Sequence, residues 1–226
     1  MTESLKHLEQ IFADAGGTFS LPISEIQTKL ESVTAFIFDW DGVFNDGRKG
    51  ADSSSGFTET DSMGVNLLRF SYWKDRATLP FTAILSGEEN PDAKKLAQRE
   101  HFHALFQKVK DKSEIFSLLK KDYQIEPKNI AYFFDDVLDL AVAEQCGVRI
   151  CIRTDASLLL HHYIMEHSLC DYRTVLSGAN NGVREASELL IGLIGNYDTI
   201  LKERINYSEI YQKYFSERQK IKTEVV

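Results

Sequence analysis

The 226-residue sequence predicts a three-layer, doubly wound α/β fold built on a mostly parallel sheet. Three observations lead there. Short apolar runs alternate with segments of helical period from residue 34 to residue 195, which is the pattern of βαβ units joined by right-handed crossovers. The runs are continuously apolar rather than alternating, so the strands are expected to be buried on both faces. Two of the runs, "AFIFDWD" and "AYFFDD", end in paired aspartates, at the strand edge where open parallel sheets bind ligands.

The elements follow in order. Residues 1–32 read as a polar helical extension, with Pro22, a cap at Ser24 and the helix "EIQTKLES". Strands are expected at 34–39, 81–85, 103–107, 129–134 and 148–152, and helices at 62–73, 91–102, 112–123, 137–146, 157–167 and 182–195. Residues 43–60, "VFNDGRKGADSSSGFTET", break the rhythm. Their "NDG" and Gly/Ser-rich centre, flanked by Phe44 and Phe57, suggest a β-hairpin insert. It is too short to be a lid, so no cap domain is expected. Beyond 196, Ile200, Leu201, Ile205, Tyr207, Ile210, Tyr211 and Tyr214 recur at roughly helical spacing. That predicts a charged tail helix packed on its own domain or on a neighbour. The expected organisation is an extension at 1–32, a core domain at 33–196 and a helical tail at 197–226.

Bulk properties narrow the function. With 43% hydrophobic and 27% charged residues the chain can bury a full core. A formal charge of −8 argues against nucleic acid and anionic membranes as partners, though not against a small anion in a locally cationic site. Cys146, Cys151 and Cys170 form no CxxC pair and read as reduced core thiols of a cytoplasmic protein. The N-terminus lacks a signal-peptide pattern, and no apolar run approaches the ~20 residues of a membrane span.

The chemistry lies at the strand ends. Side chains alternate along a strand, so Asp39 and Asp41 share one side while Trp40 points the other way as support. Gly42 lets the chain turn. Asp135, Asp136 and Asp139 end a second strand. If the two strands are neighbours, Asp39, Asp41 and Asp135 converge, and carboxylates that close stay ionised only when a cation joins them. An all-oxygen set suits a hard ion, Mg²⁺. Taken singly, each acidic cluster also reads as a turn or a helix N-cap. In "AILSGEE", Ser86 and Gly87 follow a strand and could bind a phosphate oxygen, or form an ordinary turn. Lys112 opens a helix, where ammonium and helix N-terminus together attract an anion. Lys108 and Lys110 read as a solvated face.

This order of motifs resembles the haloacid dehalogenase superfamily of phosphohydrolases. In finer detail it resembles the capless branch that contains 3-deoxy-D-manno-octulosonate 8-phosphate (KDO 8-phosphate) phosphatase. The matching stretches are "FDWDGVFNDG", "FTETDSMGVNLL", "DDVLDLAVAEQCGV" and "CDYRTVLSGANNGVREASELL", within residues 32–195. The resemblance implies a Rossmann-like sheet, Mg²⁺ as the metal and a homotetramer. It implies Asp39 as the nucleophile that forms an aspartyl-phosphate, and Asp41 as the acid/base whose backbone carbonyl also binds Mg²⁺. Asp135 would be the further metal carboxylate, with Asp136, Asp139 and Gly87 supporting. Ser86 and Lys112 would hold the phosphoryl oxygens. Departures fall on substrate-facing positions. Ser86-Gly87-Glu88 stands for Thr-Gly-Arg, Phe134 for Gly, Asp61-Ser62 for Asp-Gly, Lys108 for Gly, and Leu96 for Arg, with Lys95 and Arg99 nearby.

The function expected is Mg²⁺-dependent hydrolysis of a small, sugar-like phosphate monoester, with KDO 8-phosphate or a related nonulosonate phosphate as an alternative substrate. A catalytically weak scaffold is the alternative from another class. Transfer to an acceptor other than water would need a cap to exclude water.

Overall fold

The computed structural model describes residues 2–49 and 56–226. Six parallel strands form the body of the sheet: β2 (Ala35–Phe38), β3 (Phe81–Leu85), β4 (Ala104–Phe106), β5 (Ile130–Phe134), β6 (Val148–Arg153) and β7 (Tyr172–Ser177). Two short edge strands complete it. β1 (Thr18–Phe19) runs antiparallel to β7, and β8 (Glu224–Val225) runs parallel to β4. The order is β1-β7-β6-β5-β2-β3-β4-β8. From β2 the chain first builds outward through β3 and β4, then crosses back and builds the other way from β5. The order therefore reverses between β2 and β5, which is where an open sheet leaves a crevice.

Alternation along these strands divides the core between the two faces. Phe36, Phe38, Ala131 and Phe133 join the cluster covered by α2 (Ile23–Glu31), α3 (Glu59–Arg76), α4 (Pro91–Arg99) and α8 (Gly182–Ile194). Ala35, Ile37, Ile130, Tyr132 and Phe134 join the opposite cluster, covered by α5 (Ile115–Tyr123), α6 (Leu140–Ala143) and α7 (Leu158–Glu166). Cys146, Cys151 and Cys170 are buried and unpaired, as expected of core thiols.

The flanking segments belong to the same body. α1 (Glu3–Asp14) contributes Leu5 to the core, and β1 lengthens the sheet. Ser24 is not the cap of α2. The helix starts at Ile23, with Pro22 at the cap position in extended geometry (φ −52°, ψ 136°). The tail is not one helix. α9 (Tyr197–Ile205) and α10 (Glu209–Arg218) are separated at Tyr207, whose φ is 45°, and a new cap at Ser208 starts α10. Ile200, Tyr211 and Tyr214 are buried against α3, and Arg218 reaches Glu100 at 2.5 Å.

The hairpin expected at 43–60 is not formed by the described part of that segment. Residues 43–49 make turns and irregular chain, and 56–58 lead directly into α3; residues 50–55 lie outside the described residues. The cause is local. The Phe44 N–H donates to the Trp40 carbonyl at 3.0 Å, the Asn45 amide donates to the same carbonyl, and Trp40 stacks on Phe44 with centroids 5.1 Å apart. The chain coils back on Trp40 instead of extending. The buried indole is the support that the sequence suggested. Among the described residues no cap domain forms, and no helix is long and apolar enough to cross a membrane.

Candidate active site

β2 and β5 are hydrogen-bonded neighbours with Phe38 opposite Phe133, so the two acidic stretches emerge side by side. The Asp39 N–H donates to the Phe133 carbonyl at 2.9 Å and extends the ladder by one step. Beyond it the chain must turn at once. Gly42 has φ 85°, and a Cβ there would overlap the Asp135 carboxylate. Gly178, which follows β7, abuts the Gly42, Val43 and Asn45 carbonyls. Two glycines thus let three strand ends close around one space.

That space is a cavity of ≈ 590 Å³ whose walls include Asp39, Asp41, Asp135, Asp136, Asp139 and Lys112. Carboxylate oxygens of Asp39, Asp135 and Asp139 lie within 4.8 Å of one another. The Lys112 ammonium sits 2.6 Å from Asp39 Oδ1 and 2.6 Å from Asp139 Oδ1. The buried Tyr132 hydroxyl donates to that same Asp139 oxygen.

Electrostatics follow from burial. Asp39 is pushed well above the usual carboxylate range by burial and by the Asp139 charge, which together outweigh the pull of Lys112. Burial, with the Asp39 and Asp139 charges beside it, pushes Asp135 up to about 8. Burial alone would depress Lys112, but the Asp39 and Asp139 carboxylates overcome it and its pKa rises. One ammonium does not neutralise this group of acids. Asp41 Oδ1, Asp135 Oδ1 and Asp139 Oδ2 are buried without a hydrogen-bond partner. Acceptor-only atoms left so are the donor set of a hard cation.

The other sequence-derived candidates fall as follows. The Asp41 carboxylate turns its Oδ2 to Lys49, which also reaches Glu88 at 3.1 Å. In the carboxylate cluster its place is taken by Asp139. Asp136 is exposed and accepts from the Val137 N–H, which makes it a cap of the following turn. Lys112 opens a single 3-10 turn, capped by Asp111, just ahead of α5. Ser86 is buried at the end of β3 and its hydroxyl accepts from the Glu88 N–H at 3.4 Å. Neither Ser86 nor Gly87 is among the residues that line the cavity. Phe134, in place of a glycine, packs parallel to Tyr132 beneath the site. Lys108 has a φ of 60° and pairs with Glu89.

Two participants escaped the sequence reading, Tyr132 and Arg153. Tyr132 looked like a core residue, and strand period gives its face but not the reach of its hydroxyl to Asp139. Arg153, with Thr154 and Asp155, forms the far wall of the cavity after β6.

No family model matches the chain. Curated relatives do. The KDO 8-phosphate phosphatase KdsC of Salmonella typhi is 27% identical over 182 residues, covering 78% of this chain and 89% of that protein. Its counterpart from Escherichia coli K12 is 26% identical over the same span. Among solved structures, a probable YrbI-family phosphatase from Pseudomonas syringae superposes with a TM-score of 0.67 at 26% identity, covering 80% of this chain and 98% of that one. These similarities support a phosphatase of the haloacid dehalogenase superfamily. A further member with the same fold, the KDO 8-phosphate phosphatase of Moraxella catarrhalis, has a TM-score of 0.66 at 24% identity and covers 79% of this chain. It was solved with magnesium, phosphate and KDO bound. In this chain the strand-end aspartates and Lys112 occupy the crevice at the reversal of strand order.

Proposed function

We propose that the protein is a Mg²⁺-dependent phosphomonoesterase acting on a small sugar phosphate, with Asp39 as nucleophile and Asp41 as acid and base. The observation that carries this reading is the grouping of Asp39, Asp135 and Asp139 around Lys112 at the reversal of strand order. Relatives that are KDO 8-phosphate phosphatases support the substrate class.

The residues divide the work on physical grounds. An Asp39 oxygen attacks phosphorus, and the ester P–O bond breaks as Asp41 gives a proton to the leaving alcohol oxygen. Asp41 then takes a proton from the water that attacks the aspartyl-phosphate, which releases phosphate and restores Asp39. Lys112 screens the attacking carboxylate from the phosphate dianion and fixes its position against Asp139. Tyr132 holds Asp139 in turn. Asp39, Asp135 and the Asp41 carbonyl would hold Mg²⁺, which supplies the remaining charge neutralisation. The unpartnered buried carboxylate oxygens fit that ion. Asp136 and Gly87 support from the flanks, and Ser86 reaches the phosphoryl group only by a shift of its turn.

We further infer a cytoplasmic homo-oligomer, a tetramer. The reduced thiols support the compartment. Exposed Leu138, which lines the cavity, and exposed Leu158 and Leu159, which follow its lining residue Ser157 in the chain, support a covering subunit. Light scattering on the full chain at micromolar concentration tests the assembly, and a fully active monomer refutes it.

The decisive test is phosphate release across sugar phosphates, nucleotides and p-nitrophenyl phosphate, with Mg²⁺ and with chelator. Mg²⁺-dependent turnover that Asp39→Asn abolishes is expected. Wild-type turnover by the freshly purified variant would refute the mechanism.

A further inference from the structure

The cavity wall opposite the acidic cluster has different chemistry. It is formed by Arg153, Thr154, Asp155 and Ser157 after β6, and by Ser177 and Asn180 after β7. β6 and β7 follow β5 outward in the sheet, so the cavity runs from the ends of β2 and β5 to this wall and leaves room there for the substituent of a phosphoryl group held at the acidic end.

Arg153 is fixed from behind. Its backbone N–H donates to Thr174 Oγ1 at 2.9 Å, and Nη1 donates to the Val175 carbonyl at 3.3 Å. Its Nε and Nη2 both reach Asp155 Oδ1, each at 2.8 Å. A guanidinium carries five N–H groups, and these contacts use three. The side chains of Arg153 and Asp155 are 43% and 72% exposed, so both are open to a ligand. The pair therefore presents donors and an acceptor side by side, the complement of a polyol's hydroxyls. Asp155 already balances the Arg153 charge. The rest of the cavity carries Asp39, Asp41, Asp46, Asp135, Asp136 and Asp139 against one lysine, Lys112, which is already paired with Asp39 and Asp139, so a second anionic substituent has little to attract it.

We propose that the Arg153–Asp155 pair is the specificity element for the leaving group, holding adjacent hydroxyls of a sugar or polyol while the phosphoryl group occupies the acidic end. The proposal rests on the phosphomonoesterase reading, and the experiment separates the two. Calorimetry with Mg²⁺ on Asp39→Asn, which cannot turn over, compares inorganic phosphate, a neutral hexose 6-phosphate, KDO 8-phosphate and p-nitrophenyl phosphate. Hexose phosphate is expected to bind more tightly than inorganic phosphate. Adding Arg153→Gln or Asp155→Asn is expected to remove about tenfold of that affinity while leaving phosphate and p-nitrophenyl phosphate unchanged. In the wild-type background the same substitutions are expected to raise KM for hexose phosphate with little change in kcat. Failure of every phosphate to bind this variant, together with no turnover of any of them by the wild type, overturns the phosphomonoesterase reading. Binding of phosphate with no gain from the hexose, equal loss on p-nitrophenyl phosphate, or loss confined to KDO 8-phosphate overturns the hydroxyl-reading pair alone. The last of these would make Arg153 a carboxylate reader.

Discussion

Lys112 Nζ stands 2.6 Å from Asp39 Oδ1 and 2.6 Å from Asp139 Oδ1, so one buried ammonium ties the end of β2 to the turn after β5. Its removal leaves two buried carboxylates facing each other. Breaking a buried pair by deleting one partner typically costs about 3–5 kcal/mol. Lys112→Met is therefore expected to lose turnover by at least ~100-fold and to lower the urea midpoint measured with chelator. Added Mg²⁺ should recover part of the stability and little of the activity. Full activity in Lys112→Met would show that the ammonium is structural only.

Asp41 and Asp135 should separate in their dependence on metal. The Asp41 side chain is turned to Lys49, while the Asp135 carboxylate belongs to the acidic cluster and has a buried oxygen without a partner. Asp135→Asn is expected to weaken Mg²⁺ binding by about tenfold or more, and Asp41→Asn to spare it while stopping turnover. Calorimetric titration with Mg²⁺ of both variants decides. Equal losses would contradict the division of labour.

Much of this site was legible in the sequence because strand-end chemistry is local. "FDWD" and "FFDD" each close a continuous apolar run, and the apolar runs paired as expected. What escaped depends on contacts that strand and helix period do not show. Tyr132 reads as one more core aromatic until Asp139 is seen to accept its hydroxyl. β1 and β8 have two residues each, too few to show a period, and exist only because a sheet edge is there to pair with. β7 was lost because Arg173 and Thr174 interrupt its apolar residues, a pattern that follows from its position near the edge. The hairpin was inferred from turn chemistry in "NDG", but the described arms spend their hydrogen bonds on Trp40. Placing Ser86 beside the phosphate needed more than its position after a strand. Its hydroxyl is satisfied within its own turn.

Glu88 should tune selectivity without affecting the fold. It is 69% exposed and shares Lys49 with Asp41, and such exposed pairs contribute about 1 kcal/mol or less. Glu88→Gln removes one of the two anions on Lys49 and leaves it paired with Asp41 alone, so an incoming anion meets less repulsion. The ratio of kcat/KM for KDO 8-phosphate over a neutral hexose phosphate is expected to rise several-fold, with an unchanged thermal midpoint. A wild-type enzyme that already strongly prefers KDO 8-phosphate would mean that Lys49 serves the carboxylate despite Glu88.

The C-terminal tail should be a structural part of the domain. Arg218 is buried and donates to Glu100 Oε2 at 2.5 Å; Ser62 and Asn66 bond the same carboxylate. Arg218→Met removes the tail's charge from a carboxylate that stays buried. A loss of about 3 kcal/mol in urea unfolding is expected, with kcat at low temperature nearly unchanged. A proportionate loss of kcat in the folded variant would tie the tail to the site.

Acid should destabilise the protein through His103 well before the carboxylates titrate normally. The His103 Nδ1 accepts the Thr82 N–H at 3.0 Å at the start of β3, which requires the neutral ring. Burial, with Arg69 nearby, lowers its pKa from 6.5 to about 4. Above pH ~6.5 the ring is neutral in both folded and unfolded chains, so it contributes no pH dependence. Between pH ~6.5 and ~4 the unfolded chain binds a proton that the folded chain refuses, so stability falls as pH falls. The loss accumulates to roughly 3 kcal/mol at pH ~4 and then levels off as the folded ring protonates. Asp61 acts in the opposite sense, since burial raises it to about 6 and its proton is held by the folded chain. The His103 contribution is therefore isolated by comparison with His103→Asn, whose side-chain oxygen can still accept the Thr82 N–H. Urea unfolding from pH 7 to pH 4.5 is expected to show a flatter pH dependence in the variant than in the wild type. Parallel curves would mean that His103 takes its proton in the folded state without cost.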